Sequence, residues 1–146
     1  RGGVTQVEFS PDCQYLLSSS RRSNAVLQWD LRRLSSSSFC PGVASYETCS
    51  DTNQRLGFAF DGEDRLVVGG QDKCVRVYTL NGTVSLVAKF DDFGDAVNGV
   101  SLHDFEGNKL MATAVGSRKF PSDEDWDLDV VDDSSNGWLS LSRISA

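Results

Sequence analysis

The amino-acid sequence repeats one pattern of short strands separated by turns. The first unit has a Phe-Ser-Pro-Asp turn at residues 9–12, Tyr-Leu-Leu-Ser-Ser at 15–19 and Val-Leu-Gln-Trp-Asp at 26–30. A second unit covers residues 58–78, and a third begins with Gly-Val-Ser-Leu-His at 99–103. Repeats of roughly 40–45 residues with several short strands each are typical of β-propeller blades. We therefore predict an all-β propeller architecture.

A complete propeller needs more units than this sequence contains. Such rings close with about 4–8 blades, whereas the chain holds about three units and begins with Arg1 rather than Met. We therefore interpret it as the end of a larger ring of about seven blades, each with about four strands. The predicted blades cover residues 1–50, with a Ser-rich loop at 33–42, residues 51–94, and residues 95–146, with an acidic insertion at 120–136.

Alternation of apolar and polar residues locates individual strands within these units. Asn81-Gly82 lies between two apolar runs and predicts a tight hairpin, because both residues accept positive φ. Residues 138–144 alternate cleanly and predict a strand after the insertion. No segment predicts a helix. We expect the aromatic side chains of the strands to lie in the core rather than to stack on bases; these are Phe9, Trp29, Phe58 and Phe60.

The acidic charge of the chain is concentrated in one segment. Residues 123–133 hold seven acids and no bases, and the rest of the chain has as many acids as bases. A net negative charge of the whole chain therefore does not exclude nucleic-acid binding, since local basic patches bind phosphate. The segment has three interpretations: a solvated loop, a repulsive edge that orients RNA, or a site for a basic protein. Ser122 precedes three acids and is a candidate phosphorylation site.

Several classes of site lack the residues that they need. Cys13, Cys40, Cys49 and Cys74 form no CxxC pair and His103 is the single histidine, so we expect no metal site. We expect reduced thiols, with Cys74 in the core and a Cys40–Cys49 pair as the alternative. Nucleophile-elbow, Walker and zinc-protease motifs are absent from the sequence, so we predict no enzyme and no cofactor. No apolar run approaches about 18 residues, so we expect no membrane partner.

Basic residues at turns and strand ends are the candidates for contacting RNA. Arg21 and Arg22 lie on one predicted hairpin tip, Arg55 precedes a strand, and Arg118 and Lys119 lie on another tip. Guanidinium groups bind phosphates with two donors and stack on unpaired bases. The alternative is that all five are ordinary solvated charges.

Specific segments resemble a known family. The Trp29-Asp30 ending and the turn at residues 9–12 are similar to those of WD-repeat propellers. More narrowly, six segments resemble the telomerase Cajal body proteins, in the order in which that family has them. They are Gly-Gly-Val-Thr at 2–5, Ser-Arg-Arg at 20–22, Trp-Asp-Leu-Arg at 29–32, Thr-Asn-Gln-Arg at 52–55, Asn-Gly-Val-Ser-Leu-His at 98–103 and Phe-Pro at 120–121.

The resemblance implies a specific function, whereas the composition alone does not indicate one. Members of this family are non-enzymatic RNA-binding scaffolds for H/ACA-type small Cajal body RNAs and telomerase RNA, and they escort these RNAs to Cajal bodies. It therefore implies a nuclear protein whose partners are these RNAs and H/ACA ribonucleoprotein components, without a small-molecule substrate. The alternative is a generic WD-repeat platform for protein complexes with no RNA role. An enzyme of another fold is a third hypothesis.

Overall fold

A computed structural model of the chain describes residues 2–33, 42–62, 64–80, 83–117 and 138–144. Their strands form three antiparallel sheets in which neighbours in sequence are neighbours in space. The first sheet contains β1 (Val4–Phe9), β2 (Tyr15–Ser20), β3 (Ala25–Asp30) and β4 (Gly42–Glu47). The second contains β5 (Phe58–Phe60), β6 (Arg65–Gly69), β7 (Val75–Thr79) and β8 (Leu86–Phe90). The third contains β9 (Val97–Phe105), β10 (Asn108–Val115) and β11 (Trp138–Ile144).

The all-β prediction is confirmed, since the described helical structure is limited to a 3₁₀ turn at Leu31–Arg33. The three sheets are consistent with propeller blades, although the third has three strands within the described ranges rather than four. The blade limits and the number of blades in a complete ring stay predictions. The Asn81-Gly82 turn, residues 34–41 of the predicted Ser-rich loop and the acidic insertion at 120–136 lie outside the described residues. The two ends of that loop, residues 33 and 42, belong to the 3₁₀ turn and to β4.

An apolar core joins the first sheet to the second. Leu17, Val26 and Tyr46 of the first sheet pack with Leu66 and Tyr78 of the second. The rings of Tyr46 and Tyr78 meet edge to face, with their centroids 5.6 Å apart. Both hydroxyls are satisfied, since that of Tyr46 donates to Gln28 and that of Tyr78 to the carbonyl of Glu47. The two sheets therefore share a close-packed interior.

A second core joins the second sheet to the third. It contains Val67, Val75 and Val77 on one side and Met111 with two further valines on the other. Because successive side chains in a strand point to opposite faces, β6 serves both cores, with Leu66 in the first and Val67 in the second. The middle sheet is thus buried on both faces.

Within the described ranges, no other sheet covers the remaining faces of the first and third sheets. Phe9, Leu16 and Trp29 are opposite each other in the register of β1, β2 and β3. Phe9 is 61% exposed and Trp29 is half-buried, so the prediction that Phe9 lies in a core is wrong for this chain, whereas Phe58 is buried as expected. On the third sheet, Leu139 and Leu141 are 77% and 68% exposed. We call these surfaces the two outer faces.

Backbone hydrogen bonds connect the loops at one end of the three sheets. The amide of Arg22 donates to Thr52, and that of Gln71 donates to Cys49. Further along, the amide of Val97 donates to Gly70, and that of Gly116 donates to Ala96. These bonds join residues 21–24, 48–57, 70–74, 91–98 and 116–117 into one edge, which we call the upper rim.

Among the described residues, no helix has the length and apolar character needed to cross a membrane. The same residues contain no cluster of potential metal ligands. Cys13, Cys49 and Cys74 carry free thiols, and Cys74 is buried as predicted. Cys40, the proposed alternative partner of Cys49, lies outside the described residues.

Candidate nucleic-acid interface

The tip of the β2–β3 hairpin carries two exposed arginines on the upper rim. The amide of Arg21 donates to the carbonyl of Gly3 at 3.0 Å, and that of Arg22 donates to Thr52 at 3.2 Å. Arg22 has a φ of 54°, the left-handed conformation that closes the tip. Gly2 passes so close to the Arg21 carbonyl that a side chain at position 2 would displace the tip. The backbone of both arginines is therefore fixed while their side chains reach solvent.

The connection between the first and second sheets is tied to this tip. Asn24 accepts two hydrogen bonds, from the amide of Thr48 at 2.9 Å and from that of Ser50 at 3.0 Å. The amide of Gln54 donates to the hydroxyl of Thr52 at 3.1 Å, which forms a local turn before Arg55. Side chains on residues 52–55 are thereby placed next to the hairpin tip.

Asn98, the second residue of β9, brings the third sheet to the same place. Its carbonyl accepts from the amide of Gly57 at 2.8 Å. Its Nδ2 donates to the carbonyl of Gly116, and its Oδ1 is buried without a hydrogen-bond partner in the part of the chain that the structure describes. Gly57 lacks a side chain where the chain approaches the Asn98 carbonyl, and a Cβ there would lie 3.2 Å from that oxygen.

These elements border an open polar groove on the upper rim, which we call the rim cleft. It has a volume of about 300 Å³ and is lined by Arg21, Asn53, Gln54, Arg55 and Asn98. Arg21 also borders a cavity of about 350 Å³ that includes Arg22. Arg55 and Asn98 also border a third cavity, of about 400 Å³, that includes Gln6 of β1. The rim cleft therefore lies between two further openings.

The lining of the rim cleft is cationic and neutral. Its five side chains are two guanidinium groups and three carboxamides. Within the described ranges, the guanidinium groups of Arg21, Arg22 and Arg55 form no hydrogen bond or ion pair with other side chains, and all three residues are exposed. Such groups are available to bind phosphates, and carboxamides both donate to and accept from base edges.

Two carboxylates of the upper rim are paired with neighbouring side chains of the same chain. Asp72 forms an ion pair with Arg76 at 2.5 Å, and the hydrogen bond from that guanidinium lowers the pKa of Asp72. Asp95 accepts hydrogen bonds from the hydroxyl and the amide of Ser117, and the first of these is the main cause of its lowered pKa. Both carboxylates are therefore ionised and already paired near neutral pH.

The structure brings together two of the five predicted RNA-contacting residues. Arg21 and Arg55 line the same cleft, and Arg22 lies in the adjoining cavity. Arg118 and Lys119 lie outside the described residues, as does the candidate phosphorylation site Ser122. The role of all six residues stays a prediction.

Sequence reasoning missed the three carboxamides of the rim cleft as site residues. Asn53 and Gln54 belong to the Thr-Asn-Gln-Arg segment, and Asn98 begins the Asn-Gly-Val-Ser-Leu-His segment. Both segments carry the family resemblance, as does the Ser-Arg-Arg segment that contains Arg21. Three segments that are far apart in sequence therefore meet in one cavity.

Comparison with known proteins places these segments in a family. The family model for the WD domain, G-beta repeat, matches residues 1–30. Aligned over 83% of its length, the chain is 33% identical to telomerase Cajal body protein 1 of Mus musculus, and 34% identical to the proteins of that name from Rattus norvegicus and Homo sapiens. It spans 23% of the length of the mouse and rat proteins and 22% of the human protein. The chain is therefore a relative of the telomerase Cajal body proteins that folds as blades of a WD-repeat propeller.

Proposed function

We propose that this chain forms the RNA-contacting part of a non-enzymatic scaffold that binds H/ACA-type small Cajal body RNAs and telomerase RNA. One observation carries the proposal. Arg21, Arg55 and Asn98 come from three separate segments with the family resemblance, and they line one cleft. Among the residues that the structure describes, the two guanidinium groups have no side-chain partner. A purely structural role for these segments does not require two cations to line the same groove.

The names of the relatives support a cellular setting for this activity. The mouse, rat and human proteins are named for telomerase and for Cajal bodies. Carried over to this chain, these names favour a nuclear protein located in Cajal bodies, with H/ACA ribonucleoprotein components as its neighbours. The lining of the rim cleft supplies binding groups rather than a general base or a nucleophile, which suits a scaffold.

Phosphate binding by the rim arginines has a measurable signature. A cation that neutralises a phosphate releases a condensed counterion, so the binding constant falls as salt rises. Each contact contributes roughly 0.7–0.9 units to the slope of log K against log salt concentration. The slope therefore reports the number of phosphate contacts, whichever base the protein binds.

The test replaces Arg21 and Arg55 by Ala in the full-length protein. We expect weaker binding to an H/ACA stem-loop and a salt slope lower by roughly 1.4–1.8 units, because two contacts are lost. Binding is measured by fluorescence anisotropy over a series of salt concentrations. Arg33→Ala is the matched control, since Arg33 is exposed at the opposite end of β3.

The same experiment separates this proposal from its alternative. If the double variant keeps both the affinity and the salt slope of the wild type, while Arg33→Ala also has no effect, the rim arginines are ordinary solvated charges. The generic protein-interaction platform is then the better description of the chain. A melting temperature equal to that of the wild type excludes misfolding as the cause of weaker binding.

A further inference from the structure

Resting on the proposed RNA role, we infer that Asn53 and Gln54 read the base edge of one unpaired nucleotide in the rim cleft, while Arg21 and Arg55 hold its phosphates. The inference concerns which residues of the cleft distinguish one RNA sequence from another. Guanidinium contacts to phosphate position an RNA without reading its sequence. Sequence is read through hydrogen bonds to base edges, which in RNA are accessible mainly in unpaired nucleotides.

The size of the cleft favours a single nucleotide. Its volume of about 300 Å³ lies at the lower end of the range of roughly 300–1,000 Å³ that is typical of small-molecule pockets. An RNA duplex hides its major-groove base edges in a deep, narrow groove that side chains do not reach. A nucleotide that is turned out of a loop therefore presents its base edge to the cleft, whereas the major-groove edges of a stem stay out of reach.

Asn53 and Gln54 have the free hydrogen-bonding groups that base reading needs. Within the described part of the chain, neither carboxamide has a hydrogen-bond partner, and Asn53 is exposed while Gln54 is half-buried. Each carboxamide presents an acceptor oxygen beside a two-proton donor, the arrangement that pairs with base edges. Their free groups thus face a cavity bordered by cations.

The backbone that carries these two residues is held in place before any ligand arrives. The amide of Gln54 bonds to the hydroxyl of Thr52, and the carbonyl of Thr52 accepts from the amide of Arg22. The hairpin tip and the connection therefore keep a fixed spacing. A fixed spacing reduces the entropy lost on binding and lets a carboxamide discriminate between bases.

Asn98 has a different role in the same cleft. Its Nδ2 is committed to the carbonyl of Gly116 and its Oδ1 is buried, so its carboxamide is not presented to solvent. It joins β9 to the end of β10 and forms one wall of the cleft. Asn98 is accordingly a positioning residue, and base reading belongs to Asn53 and Gln54.

The experiment compares Asn53→Ala/Gln54→Ala with the wild type in the full-length protein. The probe is a set of H/ACA stem-loop RNAs in which each loop nucleotide is replaced in turn by the other three bases or by an abasic residue. For the wild type we expect one loop position with a preference of roughly 5-fold to 150-fold, the range of a good bidentate contact. In the double variant this preference falls below about 2-fold.

The salt dependence separates base reading from phosphate binding. We expect the double variant to keep the wild-type salt slope, because it retains both arginines. Arg21→Ala/Arg55→Ala has the opposite profile, with a lower slope and an unchanged order of preference among the RNAs. Gln71→Ala is the matched control, since Gln71 is exposed on the upper rim but does not line the cleft.

Failure of the inference and failure of the proposed function give different results. If Asn53→Ala/Gln54→Ala retains the full base preference of the wild type, the two carboxamides do not read the base, and the proposed function stands. If the wild type does not distinguish an H/ACA stem-loop from a scrambled RNA of equal length, the proposed function is wrong, and the inference falls with it.

Discussion

Asp72 of the upper rim and Arg76 of β7 form a close ion pair. Their oxygen and nitrogen atoms are 2.5 Å apart, and both side chains are more than two-thirds buried. The hydrogen bond from Arg76 holds the pKa of Asp72 below its ordinary value of 3.8. Because the folded-state pKa is lowered, the pair stabilises the fold fully above the unfolded-state pKa. That contribution is lost as the pH falls through the folded-state pKa.

Arg76→Met should therefore change how the free energy of unfolding depends on pH. Without the guanidinium, the pKa of Asp72 returns toward its ordinary value, and less stability is lost when the carboxyl is protonated. We expect a lower free energy of unfolding near neutral pH and a shallower decline as the pH falls below the ordinary carboxyl pKa of 3.8. The measurement is urea denaturation of the full-length protein at a series of pH values.

Lys73→Met is the control for this change, since Lys73 is an exposed cation on the same hairpin. An Arg76→Met protein whose stability declines in acid with the wild-type slope would show that the ion pair does not set the pKa of Asp72.

Individual site residues were predictable from the sequence only in part. Arg21 and Arg55 were candidates because a guanidinium group on a turn or at a strand start reaches solvent. The contribution of Asn98 was not predictable, because it depends on how the third sheet packs against the connection that carries Gly57. Local sequence patterns specify strands and turns but contain no information on the distance between sheets.

At the scale of elements, β6 and β9 approach each other closely where β6 ends. A methyl group at Gly69 would overlap the carbonyl oxygen of Val97. The amide of Gly69 also donates to Gly57 at 3.1 Å. The absence of a side chain at this position therefore allows the second and third sheets to meet beside Asn98.

We expect Gly69→Ala to separate these two strands and to displace Asn98 from the rim cleft. Overpacking at a close contact costs about 1–3 kcal/mol, so the free energy of unfolding should fall by that amount. RNA affinity should fall as well, because one wall of the cleft moves. Gly3→Ala is the matched control, since nothing lies within 4 Å of a Cβ at that position. Equal melting temperatures for the two variants would contradict this account.

The sequence predicted the positions of the strands and turns well. It predicted less well which faces of the strands are buried. The Phe-Ser-Pro-Asp turn lies between β1 and β2, as the repeat indicated, and the alternating residues after the insertion form β11. Alternation also separates the two faces of each strand, but it does not say which face another sheet covers. For that reason Phe9, an apolar residue in a regular position, was assigned to a core and is exposed.

At the scale of the molecule, both outer faces expose apolar side chains. Phe9 and Val7 are 61% and 60% exposed on the first sheet, and Leu139 and Leu141 are more exposed on the third. Between neighbouring sheets, by contrast, the facing apolar side chains are packed into the two cores. Exposed apolar patches of this kind promote association.

We therefore expect the isolated 146-residue chain to self-associate. Leu139→Thr/Leu141→Thr should reduce this association, because it removes apolar surface from one outer face while retaining strand propensity. Sedimentation velocity over a range of protein concentrations measures the change. Leu86→Thr is the control, since Leu86 is 49% exposed but lies on β8 of the middle sheet. A monomer with a cooperative thermal transition at all concentrations would refute the expectation.

The placement of the rim cleft has a consequence for the lifetime of the protein. Arg21 belongs to the first sheet, Arg55 to the connection that leads to the second, and Asn98 to the third. A ligand that binds in the cleft these residues form is bound only while the three sheets stay together, so ligand binding and cohesion of the sheets are thermodynamically linked. At a free ligand concentration of 100 times Kd, this linkage adds about 2.7 kcal/mol to the free energy of unfolding. We therefore expect molecules without ligand to open and to be degraded first, so that the cellular level of the protein follows the supply of what it binds.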